Sequence, residues 1–191
     1  MRQPSSHKYS FQTVPSVNMR SSVFRCDNSV KTTFRCGYLV PVYRQEVLPG
    51  DTINCRGTVF ARIATPVFPV MDNMRMDIHF FFVPNRLVWT SWKKLCGEQT
   101  DPGDSIAYTT PQVKSAASIG HAVGSLYDHL GVAPNVPNLP HNNLTGRSYN
   151  LIYNEWYRDE DLIDSVTVDT GDTTPGVSWD DPANYVLHKR S

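Results

Sequence analysis

A chain of 191 residues, 40% apolar and 19% charged, is long enough for one domain with a sizeable core and fits a globular protein slightly short of charge. The formal net charge is zero, yet residues 1–62 carry nine Lys/Arg against three Asp/Glu, whereas residues 63–191 carry nine against fifteen. Nothing at the amino terminus resembles a signal peptide, and no apolar run approaches the roughly 20 residues of a membrane helix, so neither secretory nor membrane-spanning readings gain support.

Residues 1–32 are polar and basic, with scattered apolar anchors (Phe11, Val14, Val17, Met19, Val23, Phe24) in no clear period. They read as an extended arm that lies on something else. A basic arm ahead of an acidic body meets phosphate or another subunit's acidic surface, or is simply a solvated terminus. Residues 33–84 read as strands. Tyr38 to Val47 is rich in Val, Tyr and Leu, with Pro41 favouring an edge or a bulge. Pro49-Gly50-Asp51 is a turn signal. Thr52 to Ile63 alternates, with Ile53, Cys55, Val59, Ala61 and Ile63 on one face and Asn54, Arg56, Thr58 and Arg62 on the other. After the proline-broken link Thr65 to Met71, Met74 to Val83 alternates again: Met76, Ile78, Phe80 and Phe82 against Arg75, Asp77, His79 and Phe81.

Pro84 and Asn85 end that run, and the period changes. Val88, Trp92, Leu95 and Cys96 form one stripe of a short helix that Gly97 stops. Residues 85–191 read as helical and loop material hung on the sheet. A helix is expected over Ser115 to Gly131, with Ile119, Val123, Leu126, Tyr127 and Leu130 on one stripe. Val132 to Thr145 reads as a loop. The clearest helix runs from Gly146 to Asp164, with Tyr149, Ile152, Tyr153, Trp156 and Tyr157 as an aromatic stripe. Residues 165–191 are rich in Asp, Thr, Gly and Pro, with one apolar run at Tyr185-Val186-Leu187. Strands first and helices after suggest a mainly β, antiparallel fold with helical insertions. Three or four strands leave open edges, so the sheet looks incomplete.

Little here points to catalysis. His121, Asp128 and His129 could share a face of the expected helix, but a metal site wants more converging ligands, and a wet helix face is the stronger reading. Glu155, Asp159, Glu160, Asp161 and Asp164 crowd one helix end and read as a solvated face. Asp169-Thr170-Gly171-Asp172 and Asp101-Pro102-Gly103-Asp104 lack the spacing of a calcium loop. Cys26, Cys36, Cys55 and Cys96 fit no zinc pattern and read as reduced, mostly buried thiols, although a Cys26–Cys36 bridge is conceivable. P-loop, dinucleotide, serine-nucleophile and zincin motifs do not occur. No catalytic residue, metal ligand or cofactor is therefore expected. Arg2, Lys8, Arg20, Arg25, Lys31 and Arg35, interleaved with Tyr9, Phe11, Phe24 and Phe34, are the candidate nucleic-acid contacts: cations for phosphate and rings for base stacking. The equal alternative is that they pack on neighbouring subunits. Tyr153 and Trp156 read as core aromatics, while Trp89, Trp92 and Tyr157 are the candidate assembly-interface residues.

Three stretches resemble a known family. MDNMRMDIHFFFVPNRLVWTSWKKLCGE, EVLPGDTINCRGTVFARIATPVFPVMDN and RSYNLIYNEWYRDEDL are similar to the major capsid protein of the microviruses (Microviridae), small single-stranded DNA phages, and most of all to the gokushovirus-like branch. The matching pieces run from about Phe11 to Leu162. The resemblance implies a viral jelly roll, here partial, and a structural protein of a T=1 icosahedral capsid around a circular single-stranded DNA genome. Its partners would be copies of itself, the packaged DNA and other phage structural proteins. It would be assembled in the bacterial host cytoplasm and reside in the virion, with no membrane partner. The family's jelly roll draws strands from both ends of a longer chain, which implies that these residues are an amino-terminal portion. The acidic run Asp159 to Asp161 departs from a more amide-rich family pattern, so no contact role is carried onto it. The alternative is a single-stranded nucleic-acid-binding module that uses the basic arm.

Overall fold

The computed structural model describes residues 20–172. Arg2, Lys8 and Tyr185 to Leu187 lie outside these described residues. Six short elements follow in chain order: α1 (Asn85–Val88), α2 (Trp92–Leu95), β1 (Gln112–Lys114), α3 (Leu126–His129), β2 (Pro140–Asn142) and α4 (Leu144–Trp156). The core lies under α4, where Val113, Leu126, Tyr127, Leu130, Tyr149 and Tyr153 are buried together. Tyr38, Leu39, Val132, Tyr157 and Val166 pack against them.

α4 forms where the aromatic stripe predicts a helix, with different bounds. It begins at Leu144, whose N–H is met by the Asn142 side chain at 2.7 Å, and it buries Gly146, Tyr149, Asn150 and Tyr153 at helical spacing. It ends at Trp156, well short of Asp164. The N–H groups of Tyr157 and Arg158 both turn back onto the Tyr153 carbonyl, at 3.0 and 2.9 Å. Beyond them, the Asp159 carbonyl accepts from Leu162 and Ile163 in a separate turn.

The helix expected over Ser115 to Gly131 reduces to the single turn of α3. Gly120 and Gly124 both take positive φ, +78° and +80°, which a continuing right-handed helix does not allow. Ile119 and Val123 are left 67% and 72% exposed, while Leu126, Tyr127 and Leu130 reach the core. Ser125 restarts the chain as an N-cap, its side chain accepting from the Asp128 N–H. The short helix after Pro84 is likewise split in two. Trp89 is extended (φ −150°, ψ 115°) between α1 and α2, and the Thr90 N–H leaves the helical pattern to bond the Thr170 carbonyl at 2.9 Å.

The one sheet among the described residues is the antiparallel pair β1 and β2, with Val113 opposite His141. β2 arises in the stretch Val132 to Thr145 that reads as a loop, and β1 just ahead of the helix expected from Ser115. β1 buries Val113 between exposed Gln112 and Lys114, and Pro140 stands at the first strand position, where its missing N–H is tolerated. Ser115 extends the pairing, donating its hydroxyl to the Val136 carbonyl at 2.6 Å and accepting the Leu139 N–H at 2.9 Å. The three segments expected as strands, 38–47, 52–63 and 74–83, form no ladder among the described residues. All four cysteines are free and exposed, not buried, and Cys26 and Cys36 are not bridged.

Candidate assembly surface

The alternation read in residues 52–63 and 74–83 predicts an apolar face on each segment, and the structure leaves those faces uncovered, together with the rest of residues 42–80. Ile53, Val59, Ile63, Met76 and Ile78 are each about half exposed, and Phe80 and Phe82 are 74% and 76% exposed. The two segments meet at an open groove of about 420 Å³ lined by Cys55, Gly57, Val59, Ile78 and Phe80. The opposite face of the second segment is partly covered at its end, where Phe81 is half-buried. His79 and Phe81 stand 5.9 and 6.0 Å, centroid to centroid, from the Tyr157 ring, and Phe81 also meets Trp156 at 5.7 Å. The segment thus touches the end of α4 through His79 and Phe81 and presents Ile78, Phe80 and Phe82 on the other side. A contiguous apolar surface of this kind is rare on a lone soluble protein and marks a contact with another chain or segment.

The expected interface aromatics are distributed differently. Trp89 is 1% exposed: its ring packs on Trp92 and Tyr108 at 6.1 and 6.0 Å, so it offers a neighbour no surface. Trp92 and Tyr157 are half-buried. Tyr153 is 1% exposed, as a core residue should be, but Trp156 is 72% exposed. Trp156 is the last residue of α4, and Phe81 is the ring that meets it. In the arm, Arg20, Arg25, Lys31 and Arg35 are all exposed, with Phe24 and Phe34 at 83% and 52%.

Behind this surface lies a polar node that sequence patterns did not reveal. Arg147, on α4 and 2% exposed, donates to the carbonyls of Val88 and Gly171 at 3.1 and 3.0 Å and to the Asp169 carboxylate at 3.2 Å. It ties α1 and the segment 169–172 to α4. Burial pushes the guanidinium below its ordinary value, and the charges of Asp169 and then Asp172 oppose that. Asp172 accepts the Trp89 indole N–H at 2.7 Å. That bond, then one from Ser91, holds the carboxyl below the usual carboxylate range. The Asp169-Thr170-Gly171-Asp172 stretch, which only faintly suggests a calcium loop, clamps an arginine and an indole instead.

His121, Asp128 and His129 are not brought together. His121 is fully buried and lies Nε2 to Nε2 at 2.8 Å from His141, with the Tyr127 ring 4.6 Å away. Asp128 accepts the Gly124 N–H at 2.7 Å, and His129 Nδ1 faces the Thr32 hydroxyl at 3.2 Å. Among the described residues no group of three His, Cys, Asp or Glu side chains is placed to hold a metal ion, and no helix is long and apolar enough to cross a membrane.

Comparison with known proteins finds similarity to capsid proteins. The chain is 44% identical over 183 residues to "Capsid protein VP1" of Bdellovibrio phage phiMH2K, covering 96% of this chain and 33% of that protein. It is 43% identical over 180 residues to "Capsid protein VP1" of Chlamydia phage 1, covering 91% and 30%. It is 37% identical over 130 residues to "Capsid protein VP1" of Spiroplasma virus 4, covering 68% and 23%. It therefore spans about a third of the length of the first two relatives. The family described as "Capsid protein (F protein)" matches residues 12–191, and the chain belongs to that family.

Proposed function

We propose that these residues serve as part of a major capsid protein, a structural and non-enzymatic component of a phage virion that encloses circular single-stranded DNA in an icosahedral shell. The observation that carries this reading is the uncovered apolar face of residues 52–63 and 74–83 in a member of a capsid family. In this reading the face is the inner side of a jelly-roll sheet, whose two packed layers make a rigid wedge with loops free to meet neighbours. The module around α4 is an insertion seated on the sheet's other side through His79 and Phe81. Copies of the chain pack at symmetric contacts, the basic arm faces the packaged DNA or a neighbouring copy, and other phage structural proteins complete the particle in the host cytoplasm.

The test compares this chain with a version extended to the relatives' length, by light scattering and negative-stain microscopy. Uniform shells from the long version, with aggregation of the short one, support the reading. A long version that remains a soluble monomer under assembly conditions overturns it.

A further inference from the structure

The arm divides at Thr32. Downstream it is fastened to its own body. The Thr32 hydroxyl meets His129 Nδ1 at 3.2 Å, the Leu39 carbonyl accepts from the Tyr149 hydroxyl at 2.9 Å, and Arg44 donates to the Thr145 hydroxyl at 3.2 Å. Upstream the segment stands clear of the body: Val23 is 94% exposed, Phe24 83%, and the Arg25 side chain 86%, its ion pair being with Asp27 of the same segment at 2.9 Å. Residues 20–31 can span up to about 40 Å when extended, enough to reach beyond the body that anchors Thr32.

The end of α4 has the complementary character. Trp156 and Leu162 are 72% and 78% exposed, and Ile163 is 43% exposed. Glu155, Glu160, Asp161 and Asp164 flank them in sequence and are exposed. One ion pair in this region, Arg158 with Glu160, is loose at 3.9 Å and leaves Glu160 74% exposed. An uncovered indole with an acidic rim suits an arm that presents valine, phenylalanine and arginine in a row. The aromatic and aliphatic groups leave water together, a guanidinium stacks on the indole face, and the carboxylates supply the opposite charge.

We propose that the segment Val23-Phe24-Arg25 of one copy docks on the Trp156–Leu162 patch of a second copy. Among the described residues neither half covers the other, and the proposed contact runs between copies. This rests on the capsid reading and names one of its subunit contacts.

The test uses two differently tagged forms of the relatives'-length protein. One keeps Cys26 as its only cysteine within residues 1–191; the other has all four native cysteines of this region replaced by serine and carries Glu160→Cys. The two are co-assembled and mildly oxidised, and disulfide-linked hetero-pairs are measured on a non-reducing gel. The proposal expects hetero-pairs that fall at least tenfold with Arg25→Glu or Trp156→Ala and fall in high salt. The swap of Arg25→Glu against Asp161→Arg should restore them. Shells that form normally without such pairs, or pairs indifferent to Arg25→Glu, overturn the docking proposal and leave the capsid reading intact. Loss of packaged DNA on Arg25→Glu with undiminished pairs also overturns it and gives the arm to DNA. Failure of the parent protein to form any shell overturns both.

Discussion

The indole N–H of Trp89 reaches a carboxylate oxygen of Asp172 at 2.7 Å, between residues 83 positions apart. With the Arg147 bonds to Val88, Gly171 and Asp169 it fixes the segment 169–172 against α1. The contact consumes the indole's one donor, and it gives the carboxylate a partner that favours the charged form.

That contact predicts an acid response with a defined sign. The Asp172 carboxyl is held below its ordinary value in the folded chain, so its stabilisation is present above the unfolded value of about 3.9. It is lost as the pH falls through that value towards the lower folded one. The exchange of Trp89 emission from a buried to a wet spectrum should accompany the loss. Asp172→Asn should remove this component of the pH profile. Fluorescence titrations of the two proteins from pH 7 to about 2.5, compared by difference, check it; superimposable profiles would contradict the role given to Asp172.

Arg147→Met keeps the aliphatic stem but leaves the Val88 and Gly171 carbonyls without the guanidinium. The expected cost is about 2–4 kcal/mol, since charged hydrogen bonds to buried groups are among the stronger ones and their loss strands the acceptors. Urea unfolding followed by circular dichroism measures it. Arg147→Lys should recover only part, because a single ammonium cannot reproduce the planar fork that serves three acceptors.

Gly120 and Gly124 share a positive φ but differ in surroundings. A Cβ on Gly120 would lie 2.5 Å from the Val136 backbone, whereas one on Gly124 would meet open space. Gly124→Ala should therefore cost only the conformational term, about 1–2 kcal/mol. Gly120→Ala should cost clearly more and disturb the β1–β2 pairing, because Ser115 bonds that same Val136 carbonyl. Thermal melting of the pair of variants side by side decides it, and equal losses would show that the close approach to Val136 carries no energy.

Much of this was legible in the residues, for reasons that differ by element. The aromatic stripe of α4 is long and strictly periodic, so its existence followed directly, and only its end moved, because the Tyr153 carbonyl takes two N–H groups and closes the turn. The stripe from Ile119 to Leu130 has the right spacing too, but two glycines at positive φ outweigh it. β1 and β2 have three residues each, too few to show a period, and they are specified by long-range bonds from Ser115. The polar node was hidden for the same reason: Arg147, Asp169 and Asp172 are ordinary in isolation and acquire meaning only when α4 and residues 169–172 meet. Trp89 and Trp156 exchanged their expected places: Trp89 lies where the expected helix breaks and packs on Trp92 and Tyr108, whereas Trp156, the last residue of α4, stays 72% exposed.

The same alternation that predicts strands in residues 52–63 and 74–83 yields the last prediction. Ile78 and Phe80 line the open groove with Val59, on the face turned away from His79 and Phe81. In this chain alone they are exposed apolar surface, so Ile78→Ser with Phe80→Ser should raise solubility and lower light scattering while leaving the α4 core unchanged, since the buried cluster under α4 does not include them. In the relatives'-length protein the same two changes should abolish shells, because each buried residue would lose about 1.5–3 kcal/mol of burial and set a hydroxyl in an apolar layer at further cost. The two outcomes must occur together. A long protein that assembles normally with both serines would show that this face stays outside the shell's core, and a short chain that scatters as strongly as before would place the cause of its self-association elsewhere.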